Sequence, residues 1–99
     1  MQSHYPAHFQ RDMACTEAEW LRWLPQAIGD REWQPATGSA HVRIGSGTLH
    51  LSWRAAPPRR IALLELPRLH VAFAFEEVGD AMRHAFMKRF DLYMHRGGG

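Results

Sequence analysis

The stretch His41-Val42-Arg43-Ile44-Gly45-Ser46-Gly47-Thr48-Leu49-His50-Leu51-Ser52-Trp53-Arg54 decides the fold. Val42 and Ile44 alternate with His41 and Arg43, and Leu49, Leu51 and Trp53 alternate with His50, Ser52 and Arg54. Period-two alternation marks strands with one packed face and one face in water. Paired residues must share a face, so parity tests the register. A symmetric three-residue loop over Gly45-Ser46-Gly47 would set Val42 beside His50, and it fails. A four-residue loop would set His50 opposite Arg43. The preferred reading is a two-residue Gly45-Ser46 turn, which pairs Val42 with Leu49 and His41 with His50; glycine first suits a type II′ turn.

Toward the C-terminus, the two prolines and three arginines of RAAPPRR, residues 54–60, read as a loop. Ile61 and Leu63 should then point inward. Leu69, Val71, Phe73 and Phe75 do the same after a turn around Leu66-Pro67-Arg68, with His70, Ala72 and Ala74 on the other side. One bent strand from Ile61 to Phe75 keeps the same parity, so the meander has three to four strands, with four preferred. A helix follows from an Asp80 N-cap to about His95 and stops at Gly97. Its apolar face holds Met82, Phe86, Phe90 and Tyr93, opposite His84, Lys88, Asp91 and His95.

Toward the N-terminus, Thr16 and Glu19 form a capping box for another helix, and Cys15 and Trp20 suit a hydrophobic staple. Trp20, Trp23, Leu24, Ala27 and Ile28 line one face, Pro25 should kink or restart the helix, and Gly29 ends it. Residues 1–14 show no periodicity and read as a loose arm. The expected fold is therefore α+β and two-layered: an antiparallel β-meander with an N-terminal and a C-terminal helix packed on one face. Residues 1–99 form one domain, with 97–99 as a flexible tail.

Composition limits function. A chain of 99 residues has room for one core. Its single cysteine, Cys15, excludes an intramolecular disulfide and a cysteine zinc site. No apolar leader or membrane-spanning run is present, which points to the cytoplasm and to no membrane partner. Eleven arginines stand against one lysine at a net charge of +2. The guanidinium fork suits phosphate and carboxylate, although a GC-rich genome accounts for the bias more simply.

Three features can carry chemistry. By parity, His41, Arg43, His50, Ser52, Arg54, Arg60, Arg68 and His70 lie on the open sheet face, with Arg59 near. Between His41 and His70 the only acid is Glu65, against five arginines. This suits an anion or a protein partner, while the lack of aromatic platforms argues against single-stranded nucleic acid. Ala62, Leu64, Ala72 and Ala74 make the far strands apolar outside, which suggests self-association. Second, His41, His50 and His70 have the right chemistry for zinc, but His70 lies two strands from His50 in a meander, on the order of 10 Å away. No metal or cofactor is expected. Third, Arg89 projects to the packing side; the first reading is a packed alkyl stem with its head in water, and the competing one is a buried guanidinium paired with the inward Glu65 or with an anion at the rim.

Enzyme motifs are otherwise missing. Gly45-Ser46-Gly47 fits neither a nucleophile elbow nor a phosphate loop. The terminal Gly97-Gly98-Gly99 is like the tail of ubiquitin-like sulfur carriers, but it follows a helix rather than a strand. The expected function is a non-catalytic interaction module using the open face, and the alternative is a small-ligand enzyme or carrier with a site near Arg89 or the tail.

The run from Leu66 to Gly99, with its LPRL, VAFAF and RFDLYMHRGGG segments, and the hairpin before it resemble the C-terminal part of a family of small proteobacterial proteins. The resemblance spans about two-thirds of the chain. It implies no activity and no catalytic residues, and it implies that the glycine tail is native.

Overall fold

Val42 faces Leu49 and His41 faces His50 across the two-residue turn, as parity requires. Gly45 takes φ 59° while Ser46 stays at negative φ, which is the type II′ pattern. The computed structural model describes residues 4–96. The chain runs β1 (His8–Met13), α1 (Glu17–Ile28), β2 (Trp33–Ala36), β3 (Ser39–Ile44), β4 (Gly47–Ile61), β5 (Leu64–Glu76) and α2 (Asp80–Arg96). The strands form one antiparallel sheet in the order β1-β5-β4-β3-β2. Both helices cover one face: Trp20 of α1 meets Trp53 and Phe90, while Phe90 and Phe86 of α2 meet Phe73 and Phe75.

The α+β class and the two helices on one face stand; the strand count does not. The sheet has five strands. One addition is β1, where a loose arm was expected. Phe9, Arg11 and Met13 face the helices, and the arginine at the middle position disguised the alternation. The other is β2, an edge strand that tolerates Pro35 because its outer side needs no donor.

The Thr16–Glu19 capping box forms with both reciprocal bonds, and Gly29 caps the helix by donating to Pro25 O. α1 continues unbroken through Pro25 to Ile28 rather than restarting, because proline near the C-terminal end removes only one bond of the ladder. α2 begins one residue earlier than a cap at Asp80 implies: Gly79 O accepts the first helical bond, from Arg83 N. Its buried face is Phe86, Met87, Phe90 and Met94, while Met82 is largely exposed. The face is thus turned from the expected one, and Asp91 comes out half-buried instead of in water.

The largest correction concerns residues 54–68. RAAPPRR is no loop, because β4 runs through it. Nor is there a turn at Leu66-Pro67-Arg68, because β5 starts at Leu64 and the chain reverses at Ala62-Leu63. Ala56 pairs with Arg68 and Arg59 with Leu66, so β4 advances three residues while β5 advances two. This one-residue bulge at Pro57-Pro58 inverts the parity of β4 beyond it. Ile61 therefore moves to the open face, where it is 49% exposed, and Leu63 at the apex is fully exposed. Neither points inward.

Gly47 is held by close packing. A Cβ there would overlap the backbone carbonyl oxygens of Glu76 and Glu77. At Gly79 an added Cβ meets nothing within 4 Å. Gly47→Ala is expected to cost about 1–3 kcal/mol by overpacking, and Gly79→Ala less than about 1 kcal/mol through cap preference. Urea denaturation of both variants checks the order; equal midpoints would refute it.

Candidate functional site

Register brings three rows together on the open face. His8, Ala74, His50, His41 and Gln34 cross the sheet in one row, and Gln10, Ala72, Ser52, Ser39 and Ala36 in the next. Asp12, His70 and Arg54 make a third row. His41 Nε2 and His50 Nδ1 lie 2.6 Å apart, the cross-strand contact that parity required. His70 does not join them. It sits on β5, next to β4, but pairs four residues along from Ala74, the partner of His50. At strand spacing that is about 13 Å. The separation lies along the strands, not across them as expected. Among the described residues no group of three or more candidate ligands converges on a metal site.

His70 is held instead by Asp12, Nδ1 to Oδ1 at 3.0 Å. The hydrogen bond from His70 keeps the Asp12 carboxyl below its ordinary value; partial burial opposes this, and the charges of Arg68 and Arg54 assist it. A shallow depression of about 330 Å³ opens here, lined by Gln10, Ser52, Arg54, His70 and Ala72 among others. An imidazole oriented by a carboxylate beside a serine invites comparison with acyl-transfer chemistry. That chemistry needs a nucleophile–base hydrogen bond, and Ser52 makes none to His70 among the described residues. Arg68 adjoins the cluster, and its buried Nε has no hydrogen-bond partner among the described residues.

The remaining candidates scatter. Arg43 is exposed, and its Nε donates to Gly45 O at 3.3 Å. Arg60 is carried off the open face by the bulge and pairs with Glu65 at 3.3 Å. The alternative Arg89–Glu65 pair therefore does not form. Arg89 is exposed, stacks 4.5 Å from the Tyr93 ring centroid, and donates from Nη2 to Gln26 O at the C-terminal end of α1. A cation beside those carbonyls complements the helix dipole. Cys15 is buried, and burial first and Glu19 second push its thiol up to about 11, which keeps it protonated. Residues 97–99, and with them the carrier-like tail, lie outside the described residues.

The strongest feature is one the sequence reading missed. β1 pairs with β5 only as far as Leu69, and β3 with β4 only as far as Ser52. Beyond these points β4 and β5 continue as a two-stranded ribbon, and the molecule is 47 Å long against 29 and 22 Å in its other dimensions. By register Arg59, Ile61, Leu64, Leu66 and Arg68 share the ribbon side that continues the open face. Ile61, Leu63, Leu64 and Leu66 are 39–101% exposed. Alternation from the closing Ile61–Leu64 pair puts Pro58 and Pro67 where an N–H would face outward. Both ribbon edges are thereby blunted against strand addition. What the ribbon offers a partner is side chains.

No protein-family model matches the chain, and neither the curated proteins nor the solved structures provide a match.

Proposed function

We propose that this chain is a non-catalytic interaction module that docks an anionic partner on its open sheet face and the ribbon continuing it. The observation that carries the reading is the coincidence, on one side, of Arg54, Arg59 and Arg68 with the exposed Ile61, Leu64 and Leu66. Large exposed apolar groups on a small domain mark contact surfaces. Guanidinium groups beside them select for phosphate, sulfate or carboxylate. The buried Arg68 Nε, which has no hydrogen-bond partner among the described residues, supports this further, because such a donor is costly until an acceptor reaches it.

Self-association through the same face is the weaker form. The face holds Arg43, Arg54, Arg59 and Arg68 against Asp12, Glu32 and Glu76, an excess of one positive charge, so two copies would meet with like net charge.

On a sulfated-polysaccharide resin at about 0.1 M salt, the chain should be retained and should elute with salt. The Arg54→Gln/Arg59→Gln/Arg68→Gln variant should pass through. Elution of both at the same salt concentration would remove the face from the function. A salt-insensitive dimer by light scattering would replace the anionic partner with a second copy.

A further inference from the structure

We infer that the anionic partner is a lipid bilayer surface. The open face lies on a membrane containing anionic phospholipid, and the apolar end of the β4–β5 ribbon enters the headgroup region. This deepens the interaction-module reading and rests on it.

The shape of the ribbon end makes the first argument. Leu63 projects at the apex, fully exposed, while Ile61, Leu64 and Leu66 line one side. A convex apolar end suits a medium that closes around it better than it suits a flat protein surface. Blunted edges leave backbone pairing out, so burial of these side chains is the contact on offer. From the Leu66 row to the Leu64 row is two residues, about 7 Å at strand spacing. That matches the roughly 5–10 Å to which interfacial segments bury their apolar groups.

Charge makes the second argument. Arg59 pairs with Leu66, and Arg68 lies one position further along the same side. Apolar groups flanked by guanidinium groups hold a peripheral protein on an anionic leaflet, the first in the acyl boundary and the second on phosphates. Of the acids, Glu76 and Glu32 sit at the far end of the face, Asp12 is engaged by His70, and Glu65, on the other side of the ribbon, is paired with Arg60. The basic end and the apolar end therefore coincide.

Other occupants fit less. Nucleic acid would use the arginines but leave the leucines in water, and among the described residues the face carries no Phe, Tyr or Trp to stack a base. A second copy would oppose like charge. The contact needs no spanning segment, and no helix among the described residues is long and apolar enough to cross a membrane.

Vesicle flotation with the full chain tests this, using phosphatidylcholine alone and phosphatidylcholine with about 30% phosphatidylglycerol. Partition onto the mixed vesicles only, reversed by about 0.5 M salt, is expected. Leu63→Asp/Leu64→Asp changes two exposed positions, so the fold should persist by circular dichroism while partition falls about tenfold or more. Failure of the wild type to float with the mixed vesicles, or unchanged flotation of that variant, overturns the membrane assignment. If the resin in the preceding test still separates wild type from the arginine variant, only the membrane is wrong. If it does not, the module reading falls as well.

Discussion

Phe90→Ala is expected to destabilise the chain by about 3–5 kcal/mol, because it empties the point where all three packed elements meet. Phe90 is fully buried and contacts Trp20 of α1 at 5.8 Å, Phe73 of β5 at 5.6 Å and Phe86 of its own helix at 5.7 Å between ring centroids. Two of these pairs are edge-to-face, a geometry that adds to the area buried. Domains of this size are stable by roughly 5–15 kcal/mol, so the variant should be near its unfolding midpoint or beyond it. Urea denaturation followed by tryptophan fluorescence reads this directly. A loss below about 1 kcal/mol would mean that α2 does not pack on the sheet through this residue.

Asp91→Ala should be nearly as damaging, for an electrostatic reason. Arg11 points to the helix side from β1, between the rings of Tyr5, Phe9 and Phe73. Its Nη1 donates to Asp91 Oδ1 at 2.6 Å and its Nη2 to Oδ2 at 3.2 Å, with both side chains 24% exposed. Tyr5 OH donates to the same carboxylate at 3.0 Å, and burial, then the Asp91 charge, raises the phenol above its ordinary value, so it remains a donor. Removing the carboxylate strands a guanidinium among aromatic rings, at a cost of about 2–4 kcal/mol. Arg11→Met/Asp91→Leu should recover most of the loss, because it removes both charges together. If the double variant is no more stable than Asp91→Ala, the damage comes from lost packing rather than a stranded charge.

That pair also shows why β1 was hidden in the sequence. Its inward positions are Phe9, Arg11 and Met13, and a charged residue in the middle erases the period-two signal. Arg11 is tolerated there only because Asp91, eighty positions away, faces it across the packed layers. Asp91 was assigned to solvent for the complementary reason: charge on a helix is read as exposure until a partner is known. The ribbon was hidden in the same manner. Pro57-Pro58 and three arginines spell a loop by composition, and the Ala62-Leu63 reversal uses none of the usual turn residues, although Ala62 adopts φ 53°. A bulge cannot be read from one strand, because it is a property of a pair.

Wherever partners lie close in sequence and each side chain agrees with its neighbours, the sequence by itself was decisive. That holds for the His41–His50 hairpin and its register, the capped start of α1, its stop at Gly29, and the inward set Leu69, Val71, Phe73 and Phe75. Only the tertiary structure decided where β1 attaches, which face α2 buries, which partner Arg89 meets, and that Ile61 and Leu64 emerge beside Arg59 and Arg68 on one side of a free ribbon. Local pattern encodes the preference of a side chain for water or for packing. A buried ion pair and a one-residue bulge are settled by the energy of contacts between distant segments, and no single segment records that energy.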